Sequence, residues 1–176
     1  MTLLRSFPAL AGHAPCVLIL GSMPGSASLG AGQYYAHRQN RFWPLMGVLV
    51  GAAPALAYEQ RCRRLMDAGI ALWDVLACCE REGSLDSSIR DETAQANDFT
   101  TLFAQNPTIA MVLFNGSKAE SSFQRFVAPG LAESITAAVR FRRLPSTSPA
   151  NASQSAQYKL AAWREALQAA GIHTLG

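Results

Sequence analysis

Residues 33–43, Gln-Tyr-Tyr-Ala-His-Arg-Gln-Asn-Arg-Phe-Trp, place four aromatic side chains, one histidine, two arginines and one asparagine in eleven positions. Aromatic faces interleaved with guanidinium groups can stack on nucleobases while they bind phosphates. A core-packing role would account for Phe42 and Trp43 but not for all the rest. Three further segments are small or polar and expose backbone amides: residues 21–26 (Gly-Ser-Met-Pro-Gly-Ser), residues 115–117 (Asn-Gly-Ser) and residues 145–151 (Pro-Ser-Thr-Ser-Pro-Ala-Asn). Residues 21–26 could cradle a phosphate, although they match neither G-x-x-x-x-G-K-[ST] nor G-x-G-x-x-G, and such a loop is equally a tight strand exit. No G-x-S-x-G elbow is present, which argues against a serine hydrolase. Asp74 is the sole acid near these segments, so no strong acid–base pair is expected, and the residues suit binding and positioning.

Each of these segments follows, directly or after a short connection, a run that reads as a strand. Residues 16–20, 70–76 and 108–114 are nearly continuous apolar runs, as expected of strands covered on both faces. Residues 139–144 alternate, which suits an edge. Helical periods lie between them. Phe42, Leu45, Met46 and Leu49 follow i, i+3, i+4, i+7, with Asn40 available as a cap and Pro44 near the first turn. Tyr58, Cys62, Leu65 and Met66 share a face of a second helix that stops at Gly69. Ala119, Phe123, Phe126 and Val127 mark a third, opened by a Ser117–Glu120 capping box, and Leu160, Trp163 and Leu167 a last one ending at Gly171. Residues 77–98 read as a long, polar, partly irregular connection. Strands alternating with helices predict an α/β fold: right-handed βαβ units and a parallel sheet with helices on both sides. Ligands of such sheets bind beyond the carboxyl ends of the strands, where the polar segments lie.

The length of 176 residues suits a single domain over 1–176. Apolar residues make up 49% and charged residues 15%, a composition of compact globules rather than disordered chains. The longest near-apolar stretch, residues 44–57, is short for a bilayer and interrupted by proline and glycine. Arg5 and Pro8 break the N-terminal run, so no signal peptide is expected, and a cytoplasmic location is. Cys16, Cys62, Cys78 and Cys79 form no C-x-x-C and His13, His37 and His173 lie far apart, so neither a disulfide framework nor a metal is expected. The net charge of +3 is modest but segregated. Residues 1–58 and 134–164 contain arginines and no acid, whereas residues 74–98 hold seven acids against Arg81 and Arg90. Such segregation can give one positive face, which a polyanion requires.

Residues 21–45 (GSMPGSASLGAGQYYAHRQNRFWPL), 113–119 (LFNGSKA) and 144–152 (LPSTSPANA) together resemble the uracil-DNA glycosylase superfamily. More narrowly they resemble its hypoxanthine-DNA glycosylase branch, often numbered the sixth family. The resemblance implies a three-layer α/β/α fold around a four-stranded parallel sheet. It also implies a hydrolase, acting on DNA without a cofactor, that removes a deaminated base: hypoxanthine foremost, with uracil or xanthine as side substrates. Where better-known branches carry a catalytic Asp or Asn in the first loop, this chain has Met23, as the hypoxanthine branch does. That branch places its key asparagine at the position matching Asn40. The branch usually reads H-P-R-N there, and this chain reads His37-Arg38-Gln39-Asn40; losing the proline loosens the loop that aims Asn40.

Under this reading an everted base enters a pocket that reads its exposed edge. Hypoxanthine presents the O6 acceptor beside the N1–H donor, and one side-chain amide matches both, which makes Asn115 the candidate reader. Uracil offers the same pair, so pocket size must separate the two. Amides of Gly21, Ser22, Met23, Pro24 and Gly25, less the one proline lacks, would line the base site and steady charge on the leaving group. Tyr35 would stack on the base. Asn40 would position the attacking water or the sugar, because an amide is a poor base. Ser146, Ser148, Pro149 and Asn151 would line the loop that pinches phosphates and fills the vacated stack, with His37, Arg41 and Lys118 as phosphate contacts. Of the fifteen basic residues only Lys118 and Lys159 are lysines, and neither sits in an apolar run, so a Schiff-base lyase step is not expected. The enzyme is expected to be a monomer. A lesion-binding module without turnover and a small-nucleotide hydrolase or binder are the competing readings.

Overall fold

The computed structural model describes residues 2–176. Four parallel strands form the main sheet: β2 (Val17–Gly21), β3 (Ile70–Asp74), β6 (Met111–Asn115) and β7 (Arg140–Leu144), in the order β3-β2-β6-β7. Side chains alternate across it, as the two-residue strand period requires. Val17, Ile19, Ile70, Leu72, Met111 and Leu113 enter one core with α2 (Phe42–Val50), α3 (Tyr58–Asp67) and α7 (Ala156–Ala169). Leu18, Leu20, Ala71, Val112 and Phe114 enter the other with α4 (Phe99–Gln105) and α5 (Ser117–Phe126). The predicted three-layer α/β/α architecture is therefore present, and all four predicted strand regions contribute to the sheet.

The departures are local. The run 70–76 is not one strand: β3 ends at Asp74, and after Val75 the chain enters β4 (Leu76–Arg81) of a second sheet. That sheet is antiparallel, in the order β1-β4-β5, with β1 (Leu3–Arg5) and β5 (Ile89–Ala96). The expected irregular connection over 77–98 thus contains two strands. Leu76, Cys79 and Ile89 face the α4–α5 core while Glu80, Arg90 and Glu92 form ion pairs on the outside. A half-exposed hairpin looks polar for that reason. The short helices α1 (Ser26–Ala31) and α6 (Glu133–Ala138), with α4, were also missed; α1 and α6 are too short and small-residue-rich to show a period.

The capping box is not formed. Ser117 is already the first residue of α5, and Gly116 holds the cap position at φ 96°, where a Cβ would lie 2.9 Å from Ser146 Cβ. Glu120 instead pairs with Arg143 at 3.2 Å. Asn40 is not the N-cap of α2: Arg41 holds that position without a side-chain bond, and Asn40, one residue earlier, accepts the Phe42 N–H through Oδ1 at 2.9 Å.

Candidate active site

The carboxyl ends of β2, β3 and β6 open into a cavity of about 940 Å³, at the upper end of the range for small-ligand sites. Its wall includes every residue proposed from sequence for the site except Arg41: Gly21, Ser22, Met23, Pro24, Gly25, Tyr35, His37, Asn40, Asn115, Lys118, Ser146, Ser148, Pro149 and Asn151. Arg41 lies at the margin, where its N–H donates to Thr147 O at 2.9 Å. Segments remote in the sequence thus meet in one place.

Strand register sets the floor. Gly21 is paired with Asp74 on one side, and Leu20 with Phe114 on the other, so Asp74, Gly21 and Asn115 end three adjacent strands. Glycine is required in the middle, since a Cβ there would lie 2.5 Å from Asp74 Oδ1 and 3.1 Å from Tyr35 Oη. Gly21→Ala is expected to destabilise the fold by about 1–3 kcal/mol through overpacking and to depress catalysis with it; denaturant melts read against single-turnover rates check both.

Asn115 is held on both ends by Thr147. Its Nδ2 donates to Thr147 Oγ1 at 2.9 Å, and its Oδ1 accepts the Thr147 N–H at 2.9 Å. A backbone N–H can only donate, so the amide orientation is fixed. One N–H on Nδ2 and one lone pair on Oδ1 are left over, on the two outer sides of the amide. Thr147 is fully buried, and sequence reasoning gave this orienting residue no role.

Tyr35 adopts φ 53°, a left-handed conformation uncommon for a tyrosine and costly enough to point to a functional constraint. One face of its ring stacks on Phe42, with centroids 4.1 Å apart. Its buried hydroxyl has no partner at full hydrogen-bond distance; burial, then the nearby Asp74 charge, raises its pKa well above the usual phenol value, against an opposing pull from the Asn115 side chain.

The loop carrying Asn40 is pinned despite lacking the proline. The Asn40 N–H donates to His37 O at 2.8 Å, the Gln39 N–H to His37 Nδ1 at 3.2 Å, and the Ala36 N–H to Ser28 Oγ at 3.1 Å. With Oδ1 engaged by Phe42, the Nδ2 group is the end of Asn40 left for the cavity.

Two carboxyl groups line the cavity where no acid pair was expected. Asp74 is 3% exposed, and its Oδ2 is buried without a partner. Burial, then the charge of Asp86, pushes its pKa up to about 7, against a smaller opposing pull from Arg81. Asp86 was hidden in the stretch read as a connection. It sits on an exposed turn, yet its carboxyl points inward and accepts a 2.6 Å hydrogen bond from Ser22 Oγ. Burial raises its pKa too, while Ser22 and Arg81 oppose the shift.

Arg81 is buried and ties the loops together: it donates through Nη2 to Pro24 O at 2.6 Å and through Nε to Gly83 O at 3.0 Å. Arg81→Met should cost about 1.5–3 kcal/mol, the worth of charge-assisted hydrogen bonds, and should loosen the first loop. A lowered melting midpoint with protease cleavage appearing near residues 83–86 is the expected outcome. On the opposite wall, Lys159 is buried after all. Its Nζ donates to Asn151 O at 2.6 Å, and burial followed by Arg41 lowers its pKa. It braces the 145–151 loop from outside the cavity lining. Lys118, although it lines the cavity, is engaged by Asp91 at 2.7 Å.

The strand ends of this three-layer α/β/α fold gather backbone amides, an oriented asparagine and an aromatic face into one slot able to hold a planar heterocycle. The family model of the uracil DNA glycosylase superfamily matches residues 8–169, and the chain belongs to that family. It is 39% identical over 115 residues to a hypoxanthine DNA glycosylase of Methanosarcina barkeri and 41% identical over 116 residues to one of Methanosarcina acetivorans. Each alignment covers 65% of this chain and 72% of the relative. A Methanosarcina acetivorans chain solved by NMR under a provisional uracil DNA glycosylase name superposes with a TM-score of 0.77 at 32% identity, over 97% of this chain and 99% of that one. The protein is accordingly a hydrolytic DNA N-glycosylase. Among the described residues no helix is long and apolar enough to cross a membrane.

Proposed function

We propose that the protein excises hypoxanthine from DNA as a monofunctional glycosylase, with Asn115 reading the base and Asn40 placing the attacking water or the sugar. The observation that carries the base assignment is the Thr147 clamp on Asn115. With the amide orientation fixed, Asn115 keeps one N–H and one lone pair at known positions, a donor and an acceptor of the kinds that hypoxanthine O6 and N1–H require. Adenine reverses that polarity and leaves two buried groups unpaired, at about 1–3 kcal/mol each. The names of the Methanosarcina relatives support the same base, and the cavity has room for a purine.

Bond breaking builds positive charge on the sugar and negative charge on the departing base. Amides of the 21–25 loop, whose residues line the cavity, would stabilise the base as charge develops, an effect worth several kcal/mol where water is excluded. Tyr35 would stack on the base with the ring face not used by Phe42. The 145–151 loop, braced by Lys159, would hold the backbone on either side of the everted nucleotide. Oligonucleotide duplexes carrying hypoxanthine, xanthine, uracil or a mismatch, scored for alkali-labile sites, test the assignment. Hypoxanthine is expected to be cleaved fastest; faster excision of another base overturns the choice of substrate.

A further inference from the structure

We propose that Asp74, in its protonated form, is the proton donor to the departing purine, delivering its proton to N7 as the glycosidic bond breaks. The inference rests on the reading of Asn115 as the residue that binds O6 and N1–H.

Three adjacent strands end in Asp74, Gly21 and Asn115, and the middle residue has no side chain. The Asp74 and Asn115 side chains therefore flank a gap about two strand spacings wide, roughly 10 Å between their backbones. Asp74 Oδ1 and Tyr35 Oη both approach the point where a Gly21 Cβ would be. On a purine, N7 is the acceptor next to O6 around the ring edge. A base with O6 on Asn115 and its five-membered ring over Gly21 turns N7 toward Asp74 and Tyr35.

The surroundings favour the neutral acid. Asp74 is 3% exposed and lines the cavity, and its Oδ2 has no hydrogen-bond partner. No cation forms an ion pair with it: the nearby Arg81 donates to the carbonyls of Pro24 and Gly83, and its charge offsets the effect of burial only in part. The other ionisable groups near it are Asp86, whose negative charge opposes ionisation, and the phenols of Tyr35 and Tyr34, which stay neutral. A carboxyl ionising near 7 is suited to giving up a proton at neutral pH.

The step balances as a hydrolysis. The C1′–N9 bond breaks with its electron pair going to the purine, and the Asp74 proton passes to N7, so the base leaves neutral. Water forms the new bond at C1′, and one of its protons replaces the one Asp74 gave.

The test is the pH dependence of single-turnover hypoxanthine release by the wild type and Asp74→Asn. Wild-type rates should fall about tenfold per pH unit above 7, because the active acid form is lost there. Asp74→Asn should be about 100-fold slower at pH 6, with a flat profile that approaches the wild type at high pH and unchanged lesion-DNA affinity. A stability measurement separates folding from chemistry. The unfolded carboxyl ionises near 3.8 and the folded one near 7, so the folded state holds the extra proton between those values. Wild-type stability should therefore drop as pH rises from 4 to 7, and that contribution should be missing in the variant. A variant profile parallel to the wild type, or an unreduced rate at pH 6, overturns the proposal. Should Asp74→Asn fail to fold, the wild-type profile decides: no falling limb above 7 overturns it. A wild type that releases no hypoxanthine at any pH refutes instead the base assignment on which the proposal stands.

Discussion

Asn115→Ala should slow single-turnover release of hypoxanthine from an inosine-containing duplex by roughly 1,000-fold, the scale of removing a fixed donor from a dry reaction site. The variant loses both bonds to the base edge at once. It also orphans the Thr147 N–H, which Asn115 Oδ1 accepts at 2.9 Å beneath a fully buried side chain. That unpaired donor should cost about 1–3 kcal/mol of stability, so rates belong at a temperature well below the variant's melting point. Asn115→Asp sharpens the test. Its carboxylate can still accept the Thr147 N–H, so stability should be largely kept. It offers no N–H to O6, so release should remain as slow as in the alanine variant. Recovery of activity in Asn115→Asp would mean that the residue serves only to tether the 145–151 loop.

Asn40→Ala should slow the same reaction by roughly 300-fold through loss of orientation at the reacting centre. The competing role is structural, because Asn40 Oδ1 accepts the Phe42 N–H that opens α2. Loss of that bond alone costs about 1 kcal/mol of stability, as loss of a helix cap does, and does not touch the chemistry. Asn40→Ser separates the two: a serine hydroxyl can accept the same N–H, but it does not bring an amide N–H to the cavity. The expected result is a melting midpoint near the wild type with a rate near that of Asn40→Ala. A serine variant with wild-type turnover would reduce Asn40 to an acceptor for the start of α2.

The architecture was legible because its strands are apolar enough to be buried on both faces, as Leu18 and Ile19 are in opposite cores. The candidate site was legible because small polar residues follow those strands and because residues 33–43 and the family resemblance pointed to Tyr35, His37, Asn40 and Arg41; all the residues so named but Arg41 line one cavity. The second sheet was not legible. Its strands bury one face only, and ion pairs such as Arg90–Glu80 decorate the other. That omission concealed the second carboxyl of the site. Asp86 reaches the cavity only because β4 and β5 bring the turn between them back to Ser22. Asp74 was visible at a strand end, but its lack of a partner is a property of packing around Gly21 and Tyr35. The missing proline before Asn40 shows the converse: local sequence suggested a loose loop, and contacts to His37, Ser28 and Phe42 hold it.

The most direct test of the central claim, that one slot at the strand ends takes an everted purine and cuts its glycosidic bond, is analysis of the small-molecule fraction after a single turnover on an inosine-containing duplex. Mass spectrometry should find free hypoxanthine, matched one to one by abasic sites, with the strand intact until alkali is added. Release of inosine nucleoside or nucleotide, or recovery of the duplex unchanged at saturating enzyme, would contradict it.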